Sequence, residues 1–393
     1  MRVGDLSVGI LAFFVGQRNL YVALCDTGTG RTSTFRVGAC SDLIPRIELL
    51  SPALAGTSSE AQTEDIFHRF STEWGRHLLP PAGSLACFDV LVLLPHSVMH
   101  GVPLHAVCVE QQCAPLGLMR GVVYVPSGTD ASRCASRNPA RKRGVSSWEF
   151  SLSKPNPRLA PRKPSRCFAV ASDVIHGDNQ RYERLATSIA ACFDNGVVWP
   201  GRGRDGLNVS LIAQSFDSLC VVCHGYDAAT PAKSGLLLGP SGGYGHRKIL
   251  LPGFGWCGFA DLPFGSFPAT VTTHNDEQGE IVTVEELRLL FETHAELVAL
   301  IGCSTAAGSL IRGGEYVSLA SQWLGIGAVS VLGGAWAVDV RVAESVVPTF
   351  FERWLEWRQP KAIALREALR EEVTKRALPI SHWAVFTLLG DWV

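Results

Sequence analysis

Two apolar runs in this chain each lead into a side chain that can do chemistry. Ser218-Leu-Cys-Val-Val-Cys223 is followed by His224-Gly225, and Leu297-Val-Ala-Leu-Ile301 by Gly302-Cys303-Ser304. A thiol beside an imidazole is equipped for acyl transfer: the thiolate attacks a carbonyl carbon while the imidazole moves the proton. The oxyanion that develops then needs backbone N–H donors. Gly225, having no side chain, can bring its N–H close to a substrate carbonyl, and the N–H of Cys303 is a second donor. Residue type and spacing leave another reading open. A histidine at a strand end is often a satisfied core residue, and a cysteine there is often a buried thiol.

Other chemistries fit these residues less well. Cys220-Val-Val-Cys223-His224 matches the C-x-x-C-H spacing of c-type haem attachment. That motif needs both thiols on a mobile loop, and here they sit inside an apolar, strand-like run. Zinc is not expected either, because neither Cys108 with Cys113 nor Cys220 with Cys223 has a second well-spaced ligand pair. No G-x-S-x-G occurs, which argues against a serine hydrolase. No metal and no cofactor are expected.

For His224 and Cys303 to meet, their two runs must be neighbouring strands of one sheet. In open parallel sheets, ligands bind beyond the carboxyl ends of the strands. The surrounding pattern predicts such a sheet. Strands are expected at Cys167–Ser172, Gly196–Trp199, Ser218–Cys223, Leu297–Ile301 and Ala328–Gly333. Helices are expected at Gln180–Phe193, Thr283–His294, Tyr316–Gly325, Val342–Trp357 and Pro360–Arg376, with a helical turn at Ser210–Ser215. Thr283 stands three residues before Glu286, a capping-box spacing. Strands alternating with helices imply right-handed crossovers and a mostly parallel sheet flanked by helices. The expected class is α/β, of the doubly wound kind, and no internal repeat is visible.

Two zones precede this region. Residues 1–132 begin with short β-like runs at Val8–Val15, Leu20–Cys25 and Thr34–Val37. They continue with an amphipathic helix over Thr63–Leu79 and a buried strand at Phe88–Leu94. Residues 133–166 are dense in Arg and Lys, from Arg133 through Arg141-Lys142-Arg143 to Arg166, with Glu149 the sole acid. Such a stretch buries too little apolar surface to order alone. It is expected to be a solvated, flexible loop, with a docking strip or a cleavable activation loop as the functional alternative. The reading therefore has three parts: an N-terminal subdomain (1–132), a basic loop (133–166) and a catalytic subdomain (167–393).

Composition narrows the partners. Hydrophobic residues make up 47% of the 393 and charged residues 18%, which suits a large core and not a disordered chain. A formal net charge of −1 gives no global reason to expect nucleic acid or an anionic membrane. The basic stretch lacks interleaved aromatics beyond Trp148 and Phe150. No apolar run approaches the roughly 18 residues of a membrane span. Met1–Gly16 lacks a basic n-region and its apolar stretch is interrupted at Gly9, so no secretory leader is expected. The twelve cysteines, most of them in apolar segments, are expected to be free thiols in a reducing cytoplasm.

Read in order, the motifs resemble those of the CHAT-domain peptidases, bacterial relatives of caspases and separase. Leu93-Leu-Pro-His96 with Leu104-His-Ala106 looks like that family's "PLHAL" region, and Tyr124-Val-Pro-Ser127 like its "YAPS". Cys223-His-Gly225 with Ser234-Gly-Leu-Leu-Leu238 is similar to "HG…SGLLL". Leu297 through Ala306 resembles "LVVLSACxTA", which carries the nucleophile. Gly327–Val331 with Trp336-Ala-Val-Asp339 is similar to "GARSVVxSLWxVxD", and His382 through Asp391 to "HWAGFxLxGD". The resemblance spans nearly the whole chain.

It implies a caspase-like sheet and endopeptidase activity on a protein substrate. It makes His224 and Cys303 the dyad, and Gly225 with Cys303 the oxyanion hole. It also implies a chain held idle until a partner protein or a cleavage activates it, in antiviral defence or cell death. Two departures stand out: Val340 sits where the family often has a second acid, and residues 240–280 are longer than the family needs, suggesting a lid or partner surface. Around Trp336–Asp339, caspase relatives line the pocket for the residue before the cut bond. An unpaired Asp339 carboxylate there would favour Arg or Lys, with Glu344 as the next carboxylate to consider. Equally, Asp339 would serve as the N-cap of the helix beginning near Val340. The rival from another class is a catalytically idle scaffold acting through its interaction surface.

Overall fold

The computed structural model describes residues 6–109, 114–126, 164–173, 179–199, 216–226, 234–239, 249–251, 255–257, 270–272, 278–283, 293–310 and 316–393. The chain opens with an antiparallel meander of β1 (Val8–Val15), β2 (Asn19–Asp26) and β3 (Thr32–Ala39). Strand β2 alternates buried and half-buried residues, with Leu20, Val22 and Leu24 on its core face. That is the pattern of a strand covered on one side. Strand β1 then pairs in parallel with β4 (Val90–Leu94), and β4 with β5 (Gly121–Tyr124).

The second block holds β6 (Arg166–Ser172), β7 (Asn195–Val198), β8 (Ser218–Tyr226) and β9 (Gly235–Leu238). It continues through the short strands β10 (Ile249–Leu251), β11 (Gly255–Cys257) and β12 (Thr270–Thr272) to β13 (Gln278–Thr283) and β14 (Leu297–Ile301). The hairpin β15 (Gly308–Leu310) and β16 (Tyr316–Ser318) and strand β17 (Ser330–Gly334) complete it. Strands β7, β6, β8, β14 and β17 lie side by side and all run parallel. Every residue of β14 and β17 is buried. Such runs are continuously apolar because helices cover both faces of a parallel sheet.

The last strand, β18 (Phe386–Gly390), is antiparallel to β17 and parallel to β5. It joins the two blocks into one sheet, so strands from residues 1–132 and 167–393 are continuous with each other. His105 fastens the same seam. Its Nε2 lies 2.7 Å from the Ala384 carbonyl oxygen and its Nδ1 2.8 Å from the Tyr124 hydroxyl. A carbonyl only accepts, so Nε2 carries the proton and the tyrosine donates to Nδ1. Burial holds the imidazole neutral, pushing its pKa down to about 4.

The helices that frame the site and its surroundings are α1 (Cys40–Glu48), α2 (Glu60–Arg69), α3 (Asn179–Ala191), α4 (Leu319–Gly325), α5 (Val340–Leu355) and α6 (Lys361–Arg376). Helix α5 packs on α6 and α3 through Phe350, Phe351 and Trp354, and Phe193 lies 5.5 Å, centroid to centroid, from Phe351. Both Phe350 and Phe351 are fully buried, so truncating either to Ala would cost about 3–5 kcal/mol.

Several boundaries differ from the sequence pattern for local reasons. The helix expected from Thr63 begins at Glu60, because Ser59 and Gln62 form a capping box. After Arg69 it loosens into a π turn and then tightens into a 3-10 turn at Gly75–Leu78. Tyr316–Ser318, expected as helix, is strand; Ser318 and Ser321 cap α4 one residue later. Thr283 closes β13, and residues 284–292 of the helix expected after it lie outside the described residues. So do Ser210–Ser215, most of 240–280, and the basic stretch up to residue 163.

Candidate active site

The site is set by register between three parallel neighbours. In the β8–β14 pairing Val222 is opposite Ile301, and in the β6–β8 pairing Ser172 is opposite Cys223. Two residues on from the first pair, His224 and Cys303 reach the same level of the sheet. One residue on from the second, Asp173 reaches it too. Three reactive side chains thus stand in a row across β6, β8 and β14.

Strand β8 does not stop at Cys223 as the apolar run suggested. It continues to Tyr226, where His224 pairs with Leu237, Gly225 with Leu236 and Tyr226 with Gly235 of β9. The ladder to β9 fixes the backbone beneath the imidazole. Gly225 lies against the carbonyl of Cys303, so close that a Cβ would overlap that oxygen. No other residue type fits without moving Cys303.

The loop after β14 is held from inside. The Thr305 hydroxyl is buried, donates toward the carbonyls of Leu300 (3.0 Å) and Gly302 (3.1 Å), and accepts the Gly334 N–H at 2.8 Å. Ser304 N–H donates to the Trp336 carbonyl at 2.9 Å, and Ala306 N–H to that of Gly334 at 2.8 Å. Ser304 itself sits at φ 55°. That left-handed conformation is uncommon for a non-glycine residue and persists only where the surroundings over-determine it. Here it turns the chain sharply so that Cys303 stands half-buried at the head of the loop.

His224 is oriented from the other side. Its Nε2 lies 2.8 Å from Asp173 Oδ1 and 3.3 Å from the Tyr182 hydroxyl of α3. Asp173 is 1% exposed. A carboxylate only accepts, so Nε2 carries the proton and Nδ1 keeps the basic lone pair. The Cys303 sulfur accepts the Val338 N–H at 3.4 Å, and no direct His224–Cys303 hydrogen bond forms among the described residues. In unliganded sites such bonds are often long and tighten only around substrate. A small crevice passes Cys303 and is walled by Tyr226, Ser234, Thr305, Gly308, Val317 and Leu319.

Asp173 and Tyr182 were not anticipated from sequence. Asp173 follows a predicted strand directly, so the strand-end rule that found His224 and Cys303 would have found it. Tyr182 carries no such signal, because it reaches the site from a helix. Cys220 and Cys223 are buried within β8. Desolvation drives both thiols well above their ordinary pKa, which keeps them protonated and inert, as core residues.

The expected pocket residues fall out differently. Asp339 is the N-cap of α5, accepting the Arg341 N–H at 2.8 Å, and its carboxylate also holds the Arg341 guanidinium at 2.8 Å. It is therefore paired and not vacant. Partial burial pulls its pKa upward, but the bonds and charge of Arg341 outweigh that and hold it below the ordinary range. Trp336 does not face the crevice. Its indole is buried against Phe67, with rings 4.8 Å apart, and donates to the Ser381 carbonyl at 2.7 Å. Its contribution is the backbone carbonyl that holds Ser304. Glu344 points to α3, where it pairs with Arg181 at 3.6 Å and Arg184 at 3.9 Å, so it is a helix tether.

A family model described as the CHAT domain matches residues 69–391. No curated protein matches the sequence. Among solved structures, Saccharomyces cerevisiae separase, in its complex with securin, superposes with a TM-score of 0.56 at 11% identity, covering 98% of this chain and 30% of that one. A second structure of that complex gives 0.55 at 10% identity with the same coverage. The Arg-specific cysteine proteinase gingipain R aligns with a TM-score of 0.46 at 9% identity, covering 86% of this chain and 69% of that one. The separase likeness carries the fold, which is caspase-like: a mixed, mostly parallel sheet flanked by helices. The chain spans under a third of the separase chain. Among the described residues, no helix is long and apolar enough to cross a membrane.

Proposed function

Because the chain belongs to the CHAT-domain family, we propose that it is a cysteine endopeptidase with Cys303 as nucleophile and His224 as general base. The observation that carries this reading is the register that brings Asp173, His224 and Cys303 to one level on adjacent strands. Asp173 holds the Nε2–H tautomer, leaving Nδ1 to take the thiol proton. The thiolate attacks the scissile carbonyl carbon and the oxyanion is received by the N–H groups of Cys303 and Gly225. As the tetrahedral adduct collapses, the proton on Nδ1 passes to the leaving amine. Water, deprotonated by the same nitrogen, then hydrolyses the thioester and frees Cys303.

The expected preference for a basic residue before the cut bond is part of the proposal, with one amendment. Asp339 adjoins Val338, whose N–H touches the Cys303 sulfur, and this adjacency in the chain supports assigning its carboxylate to the pocket for the residue before the cut bond. Its partner Arg341 is 71% exposed, where solvent screens the pair and leaves it weak. A substrate Arg or Lys can replace it at little cost. The proposal includes activation by a protein partner or a cleavage, supported by separase, which shares this fold and is found in complex with securin. The test is labelling by a thiol-directed peptidyl electrophile. Wild-type chain should be labelled at Cys303 and the Cys303→Ala variant not at all; equal labelling of both would end the proposal.

A further inference from the structure

The sheet ends at β3, and the outer edge of that strand is open. On its inner side β3 pairs with β2, and among the described residues no backbone group of residues 32–38 bonds outside that ladder. An edge strand leaves alternate N–H and C=O groups without partners. Proteins commonly blunt such edges with proline, lysine or a covering element, and β3 contains neither proline nor lysine. Along this edge runs a cleft with an open volume of about 980 Å³. Phe35 and Arg36 of β3 form one wall; Arg76, Leu79 and Pro80 form the other.

The charge of the cleft is one-sided. Among the described residues that line it, none is acidic. Among the described residues neither Arg36 nor Arg76 has an ion-pair partner, whereas Arg69, Arg353 and Arg376 are paired with Glu73, Glu371 and Glu372. We propose that this cleft is a docking site for an extended acidic segment of a partner protein, which adds to β3 as a further strand. An extended chain satisfies the open ladder through its own backbone. Its carboxylates meet Arg36 and Arg76 as charge-assisted hydrogen bonds, and intervening apolar side chains cover the half-buried Phe35. A segment alternating acidic and apolar residues is the best fit. The chain's own basic 133–166 stretch is excluded as the occupant by like charge. The inference stands apart from catalysis, since it concerns the edge of the sheet remote in sequence from both dyad residues.

The test uses the full chain carrying Cys303→Ala, so that cleavage cannot consume the probe. The probe is a short, blocked, fluorescein-labelled peptide alternating Glu and Val, followed by anisotropy. It should bind, more weakly as salt rises. The Arg36→Glu, Arg76→Glu double variant should lose about tenfold or more in affinity, with its melting temperature unchanged. If that variant fails to fold, the single Arg36→Gln variant makes the same comparison. A peptide with Lys in place of Glu should not bind, and neither should the Glu peptide N-methylated at alternate residues, which lacks the ladder donors. Equal binding of the Glu and Lys peptides, or unchanged affinity in the charge-reversed chain, overturns the proposal. So does full binding of the N-methylated peptide, or its parent's displacement by a single-stranded oligonucleotide of equal affinity. Concentration-dependent dimerisation lost in Arg36→Glu would give the edge to a second copy and equally overturn it.

Discussion

Asp173 Oδ1 lies 2.8 Å from His224 Nε2, and the carboxylate is buried where the imidazole is partly exposed. An acceptor fixed at one ring nitrogen decides which nitrogen is basic, so in the proposed mechanism Asp173 leaves Nδ1 as the base. Asp173→Asn should lower kcat about a hundredfold or more while KM for a cleaved peptide changes little. Asp173→Glu should recover part of the loss. A purely structural role would lower the melting temperature without changing kcat of the folded fraction, and that result would remove Asp173 from the mechanism.

Thr305 holds the loop that carries Cys303 through three hydrogen bonds at one hydroxyl. Thr305→Val keeps the shape but strands the Gly334 N–H in the interior, so it should cost about 1–3 kcal/mol in chemical denaturation. It should also slow electrophile labelling of Cys303. Thr305→Ser, which restores the hydroxyl, should return both readouts close to wild type.

Cleavage preference separates the two carboxylates near α5. Asp339→Asn should depress cleavage after Arg by at least about tenfold, since the loss of one partner of a desolvated pair costs roughly 2–5 kcal/mol. Arg341→Ala removes the internal competitor and should raise cleavage after Arg or Lys a few-fold, since a solvent-screened pair competes only weakly. Glu344→Gln, a tether to α3, should leave the preference unaltered. A fluorogenic panel varied at that one substrate position reads all three, and preferred cleavage after Asp would refute the pocket assignment.

Stability should fall on mild acidification. Burial pushes His100 and His105 down to about 4 from the ordinary 6.5. The unfolded chain therefore binds more protons than the folded one below 6.5. Their contribution is complete above pH 6.5 and is lost as pH falls toward 4, at up to about 1.4 kcal/mol per pH unit for each histidine. His100 stacks on Tyr316 with ring centroids 4.5 Å apart. His100→Phe keeps the stack and should flatten the slope of urea midpoints between pH 6.5 and 4.5. An unchanged slope would mean that His100 is protonated in the folded chain.

Much of this molecule is written locally in its residues. The apolar runs of β8 and β14 declare buried parallel strands, and the polar residues that interrupt them, His224 and Cys303, are where chemistry can emerge. Gly225 is legible for the same reason, because only glycine tolerates so close an approach of another backbone. These are properties of a short window, and a short window of sequence carries them.

What the window cannot carry is adjacency. That β8 lies between β6 and β14, in the register that levels Asp173 with His224 and Cys303, depends on crossovers that bring distant segments together. Parallel register has no turn between its strands to announce it. Tyr182 enters from a helix face, and Trp336 is drawn into the core by Phe67. Arg341 claims Asp339, and the arginines of α3 claim Glu344. A carboxylate near a cleft looks vacant in sequence because its competitors for partnership become visible only when packing sets them beside it.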